Sequence, residues 1–133
     1  MAAMMDWNDA LRVGHSAIDR DHEKLVGLIN ALGGAMESGK GQDICASILN
    51  ELVNYTKTHF AMEEQLMTVH QYESAAAHRA EHAKLIQEVV AFQDELRAGT
   101  SILSVSLLHF LMEWLTRHIL VSDKALATAL ARG

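Results

Sequence analysis

The chain has 133 residues, half of them hydrophobic, no proline, and 17 acidic against 11 basic side chains, for a formal net charge of −6. That length suits one domain able to bury roughly two thirds of its unfolded surface, and the lack of proline leaves long helices uninterrupted, so an all-α fold is expected. An acidic balance without any basic run argues against a nucleic-acid surface. Cys45 is the one cysteine, which excludes an internal disulfide and a cysteine-based metal cluster and fits a packing residue in a reducing compartment. The opening "MAAMMDW" has neither a basic start nor a sustained apolar run. No later segment approaches the roughly eighteen apolar residues of a membrane span. A soluble, cytoplasmic protein without membrane insertion is expected.

Four long periodic segments follow an irregular arm that runs through about residue 17. The first, "IDRDHEKLVGLINALGGAMESG", places His22, Leu25, Ile29, Leu32 and Met36 on one helical face. After the break "GKGQD", Ile48, Leu52, Tyr55, His59, Met62 and Leu66 recur at steps of three and four. "VHQYES" interrupts the pattern, with Ser74 as N-cap of a third helix bearing His78, His82, Leu85, Val89, Phe92 and Leu96. "AGTS" ends that helix and offers Thr100 or Ser101 as the next cap, after which Leu108, Leu111, Leu115 and Ile119 form the fourth stripe. Helices with such short connections pack as an up-down-up-down four-helix bundle. Here the bundle would cover about residues 18–131, in a single domain spanning 1–133.

The informative fact is where the eight histidines fall. His22, His59, His78 and His82 occupy apolar stripes where leucine would be the plain choice. Any one alone is more often a hydrogen-bonded core residue than a metal ligand. His59 and Glu63 in "HFAMEE" stand four apart, a commonplace helical pair. "HRAEH" is stronger, because His78 and His82 one turn apart make a natural clamp. His118 and Asp123 in "HILVSD" are five apart and diverge by about 140° on a regular helix. Their convergence requires the helix to end, tighten or bulge between them. His70 and His109 lie off the stripes and read as solvated.

Taken together, five histidines and two carboxylates inside one small bundle would cost several kcal/mol per charged group unless each found a partner. A bound cation removes that cost, and each helix supplies at least one candidate. Five imidazoles, two carboxylates that each bridge two metals, and an oxide or hydroxide bridge would fill eleven of the twelve positions of two octahedral ions. One position stays open on the metal with fewer histidines. Such nitrogen- and carboxylate-rich six-coordination suits iron better than zinc, magnesium or calcium.

The ordered set His22, "HFAME", "HRAEH" and "HILVSD" resembles the ligand pattern of the hemerythrins, and within them of the single-domain bacteriohemerythrins. Trp7, "VGHSAID", "RDHEKL", "EEQLM" and "YESAAAH" extend the likeness over roughly residues 5 to 125. The resemblance implies reversible O2 binding by two iron ions in a non-heme centre, oxo- or hydroxo-bridged, in an oxygen carrier or store rather than an enzyme. His78, His82 and His118 would hold one iron, His22 and His59 the other, and Glu63 and Asp123 would bridge them. The bridge would supply the proton, so no protein acid or base is called for. The O2 pocket would be Phe60, Trp114, Leu115 and Ile119, all large and apolar and equally suited to plain core packing. Implied partners are dioxygen and an oxygen-consuming or signalling protein, with the chain itself a monomer.

Many relatives have an aliphatic residue at the place of His15, glutamine at Asp21 and proline near Glu73, and none of these departures is expected to touch a ligand. His15 is expected at the surface, with a fold toward the site as the alternative. A ferritin-like oxidase or iron store would need Glu-x-x-His motifs, and no glutamate here has histidine at the third following position. A zinc protease would need His-Glu-x-x-His, where "HEKLV" ends in valine. An oxygen or redox sensor, or an iron storage or detoxification protein, stays open as the alternative function. The histidine-rich, carboxylate-poor set favours a carrier over an oxygenase.

Overall fold

A computed structural model of the chain describes residues 5–39, 42–98 and 105–132, without the side chains of residues 42 and 105. Four long helical rods carry the fold: α1 (Ser16–Glu37), α2 (Gln42–Val69), α3 (Ala75–Arg97), and a fourth rod made of α4 (Val105–His118), a π-helical turn (Ile119–Asp123) and α5 (Lys124–Arg132). No strand occurs among the described residues, and α1 packs on both α2 and α4 while α2 also packs on α3. This is the expected all-α four-helix bundle. No described helix is long and apolar enough to cross a membrane. The candidate caps Thr100 and Ser101 lie outside the described residues.

Helix α1 begins two residues before the expected boundary. Its N-cap is His15, whose Nδ1 accepts from the Ile18 amide at 3.4 Å. His15 is half-buried, and its Nδ1 is engaged by the cap rather than free at the surface. The arm before it is fastened to α1. The Asn30 side chain exchanges two hydrogen bonds of 2.8 Å with the Met5 backbone. Asp19 accepts from the amides of Val13 and Gly14 at 2.7 and 3.2 Å, holding Gly14 at a φ of 94° that suits glycine. Met5 and Leu11 of the arm join the main core.

The expected stripes of α1 and α4 are largely buried, but that of α2 is rotated. Cys45, Leu49, Leu52, Val53, Phe60 and Met67 are buried, whereas Ile48, Tyr55, Met62 and Leu66 are half-buried at the flank. Because α2 faces both α1 and α3, its apolar surface is wider than one line of residues, and its neighbours decide which line is central. On α3, Gln93 is buried where Phe92 and Leu96 are only partly so, and it donates to Asn50 Oδ1 of α2. Ser74 does stand at the N-cap of α3, but with φ −94° and ψ 19° its side chain makes no capping hydrogen bond.

Helix α2 ends in a Schellman turn built without glycine. Tyr72 N donates to Met67 O at 2.9 Å and Gln71 N to Thr68 O at 3.2 Å, with Gln71 in the left-handed region at φ 50°.

Two apolar clusters fill the bundle. The larger gathers Leu25, Ile29, Leu49, Val53, Phe60, Leu85, Leu111, Leu115 and Ile119 among others, and the smaller is Ile18, Met67 and Leu126. Along every rod that feeds both, a polar residue separates them: His22 on α1, Glu63 on α2, and Asp123 on the fourth rod.

Candidate metal centre

His22, His59, Glu63, His78, His82, His118 and Asp123 are each buried to 4% exposure or less and form one polar layer between the two apolar clusters. The layer contains two overlapping groups that could hold a metal ion: Glu63, His78, His82, His118 and Asp123 in one, and His22, His59, Glu63 and Asp123 in the other, with ligand atoms in each within 4.8 Å of one another. Glu63 and Asp123 belong to both. One group therefore has three histidines and the other two.

The fourth rod contributes through its irregularity. From Ile119 to Asp123 the chain follows a π turn, closed by the Lys124 amide donating to Ile119 O. The wider turn brings residues five apart onto one face, and His118 Nε2 lies 3.1 Å from Asp123 Oδ1. The bulge that this pair requires is thus present at the expected place.

The distances suit a centre of the octahedral kind. His78 Nε2 and His82 Nε2 lie 3.2 and 3.1 Å from His118 Nε2. Asp123 Oδ1 is 3.0 Å from His78 Nε2, and Glu63 Oε1 is 3.1 Å from His82 Nε2. Donors held about 2.1 Å from a common ion stand about 3.0 Å apart when their directions are perpendicular, and about 3.4 Å apart at the tetrahedral angle. In the two-histidine group His22 Nε2 lies 2.8 Å from Asp123 Oδ2, and His59 Nε2 lies 3.3 Å from Glu63 Oε2.

Three more carboxylates fix which ring nitrogen points inward. His59 Nδ1 donates to Asp21 Oδ2 at 2.9 Å, His82 Nδ1 to Glu64 Oε2 at 3.0 Å, and His118 Nδ1 to Glu81 Oε1 at 2.9 Å. A carboxylate only accepts, so the proton sits on Nδ1 and the Nε2 lone pairs face one another in the middle. Both Nδ1 and Nε2 of His22, Nε2 of His59, both Glu63 oxygens and Asp123 Oδ2 are buried without a hydrogen-bond partner. Converging lone pairs and orphaned carboxylate oxygens are what a bound cation satisfies. The residues present fit a pair of metal ions.

Without metal, protons fill the gap. Burial pushes the His59 pKa down, but Glu63 and Asp21 overcome it and raise it to about 9. His118 is likewise raised against burial, through Asp123, Glu63 and Glu81. Burial would raise the Asp123 carboxyl, yet the imidazoles of His118, His22 and His78 hold it well below the usual range. Glu63 is lowered against burial by His59 and His82. Metal and proton thus compete for the same lone pairs.

Phe60 and Trp114 meet the histidines directly. Phe60 stacks on His82 with centroids 3.6 Å apart at 5°, and Trp114 on His118 at 4.4 Å and 18°. Beyond them lies an apolar cavity of about 30 Å³ that Phe60, Trp114 and Leu115 line together with Leu25, Leu85 and Leu111. Ile119 is fully buried but does not line it.

Asp21, Glu64 and Glu81 are the residues that sequence reasoning missed. Asp21 corrects the expectation that no departure from the family pattern touches a ligand-type residue, and the trio corrects the reading of the surroundings as carboxylate-poor. Glu64 and Glu81 adjoin Glu63 and His82 in sequence, but each meets a histidine on another helix, which no spacing within one helix reveals. His70 and His109 are exposed, as expected.

Fold and site define a four-helix-bundle protein with a buried histidine–carboxylate centre able to hold two metal ions. Residues 13–130 match the family model of the hemerythrin HHE cation binding domain. The chain is 34% identical over 125 residues to a bacteriohemerythrin of Stenotrophomonas maltophilia, covering 94% of this chain and 80% of that one. It is 36% identical over 121 residues to a bacteriohemerythrin of Pseudomonas aeruginosa, covering 91% and 78%. A crystal structure of wild-type hemerythrin superposes with a TM-score of 0.92 at 28% identity, over 97% of this chain and 99% of that one. The chain belongs to the hemerythrin family.

Proposed function

We propose that the protein binds dioxygen reversibly at a di-iron centre and serves as an oxygen carrier or store rather than as an enzyme. The observation that carries this reading is the sharing of Glu63 and Asp123 between a three-histidine and a two-histidine group. In the proposed assignment His78, His82 and His118 would hold one iron and His22 and His59 the other, with Glu63 and Asp123 shared between them. The two-histidine group, with fewer ligands, would be the half that leaves room for dioxygen. Iron, when bound, supplies the electrons that oxygen binding needs. Nitrogen and carboxylate donors in this ratio suit it, and family membership points the same way.

The protein's own part is to orient and to exclude water. Phe60 and Trp114 hold two imidazoles by stacking. Leu115 and Ile119 close the layer on the side of the larger core. The carboxylates beyond the bridging pair contact the rings at Nδ1, facing away from the lone pairs in the middle, so they orient ligands rather than deliver protons to bound oxygen.

A visible spectrum of the iron-loaded protein, reduced without air, then exposed to air, then deoxygenated, tests the reading. A charge-transfer band that appears with oxygen and leaves with it is expected. A band that never forms, or irreversible oxidation in one cycle, would refute carriage.

A further inference from the structure

Among the three histidines whose Nδ1 meets a carboxylate, His59 has the most firmly held partner. Asp21 accepts from His59 Nδ1 at 2.9 Å through Oδ2 and from the Tyr55 hydroxyl at 2.7 Å through Oδ1, so both oxygens are engaged and the carboxylate is fixed in place. Its side chain is 22% exposed, against 35% for Glu64 and 47% for Glu81. The charge of Glu64 is offset by the Arg79 guanidinium 3.9 Å away, and Glu81 takes a hydrogen bond from Ser122 near the surface. Tyr55 is itself held, with the Lys24 ammonium 5.4 Å from the centre of its ring. His22, the other histidine of this group, has no hydrogen-bond partner at Nδ1. Within the two-histidine group, His59 alone is therefore held from outside the centre by a carboxylate, that of Asp21.

We propose that Asp21, pinned by Tyr55, is a positioning residue that aims His59 and, through its ring, strengthens metal holding and favours the oxidised state in the two-histidine half of the centre. This rests on the two-metal reading above. A carboxylate accepting the Nδ1 proton makes the imidazole a stronger donor at Nε2, and a more electron-rich donor stabilises the higher charge on a metal. A neutral amide at the same place would orient the ring without that charge, so the choice of aspartate sets the electronic character of one half of the centre alone. The other half draws on Glu64 and Glu81.

Asp21→Asn, Asp21→Ala and Tyr55→Phe in the full chain test this by two readouts: Co(II) affinity of the first and second equivalents by chelator competition, and the midpoint potential of the iron-loaded protein. Asp21→Asn is expected to keep two Co(II) per chain, weaken the second equivalent several-fold with the first within about twofold, and shift the potential upward. Asp21→Ala should weaken the second equivalent by about 10- to 100-fold, and Tyr55→Phe should move both readouts the same way by less. An unchanged second equivalent and potential in Asp21→Asn, or equal weakening of both equivalents, would overturn the proposal. If Asp21→Asn does not fold, Tyr55→Phe decides by the same criteria. One Co(II) per unmodified chain would overturn the two-metal reading and this inference with it, whereas two per unmodified chain with unaffected variants would overturn this inference alone.

Discussion

His118 and Asp123 are five residues apart, yet His118 Nε2 and Asp123 Oδ1 stand 3.1 Å from each other because a single π turn replaces the α-helical register between them. The same aspartate reaches His22 Nε2 at 2.8 Å through its other oxygen. One bulge in one rod thus joins the two halves of the centre. Asp123→Ala is expected to lower iron from two per chain to one, retained by His78, His82 and His118, as read by metal analysis of the purified variant. Retention of both irons would show that Asp123 does not bridge.

The metal-free and loaded proteins should respond to pH in opposite ways. The folded-state pKa of His59 is raised from 6.5 to about 9 against burial, by Glu63 and Asp21. A raised pKa contributes stability that is full below pH 6.5 and lost as pH rises through about 9. The metal-free protein should therefore lose thermal stability between those values. Metal uptake needs the unprotonated ring, so it should strengthen over the same window and release protons at neutral pH. Melting curves of both forms and proton release on Co(II) addition check this. Loading at pH 7 with no proton released would contradict it.

Gln71 holds a left-handed conformation, φ 50°, at the end of α2 that glycine adopts without steric cost. Gln71→Gly should stabilise the fold by about 0.5 to 1 kcal/mol, since relief of the backbone strain exceeds the added freedom of the unfolded chain. Gln71 is not one of the seven centre residues, and if the turn keeps Tyr72 against His78 at 6.5 Å, metal content should not change. Denaturant unfolding of the metal-free protein measures the difference.

Leu115 is 6% exposed and lines the apolar cavity beside Phe60 and Trp114. Leu115→Ala should cost about 2 to 5 kcal/mol of stability. It should also hasten autoxidation of the oxygenated protein by admitting water. An unchanged autoxidation rate, followed in the visible after oxygenation, would show that Leu115 does not guard the centre.

The helices and four of the inward-facing polar residues, His22, His59, His78 and His82, were legible because a 3.6-residue period carries both the apolar stripe and the histidines placed on it, whereas Glu63, His118 and Asp123 joined them firmly only through the resemblance to the hemerythrin ligand pattern. The bulge at Ile119–Asp123 was legible as a requirement, since two residues five apart converge only if the helix departs from α geometry. The central line of α2 was not, because Ile48 and Leu49, or Met62 and Met67, differ in burial through what α1 and α3 place opposite them. Asp21, Glu64 and Glu81 were invisible for a related reason. Each hydrogen bond joins residues 18 to 38 positions apart. The role of His15 depended on the path of the arm, which the turn at Gly14 sets.

The central claim is that two ions share Glu63 and Asp123 as common bridges. Iron content together with magnetic susceptibility of the oxidised protein tests it most directly. Two irons per chain, antiferromagnetically coupled and silent in electron paramagnetic resonance, are the expected result. One iron per chain, or two that behave as independent paramagnets, would contradict it.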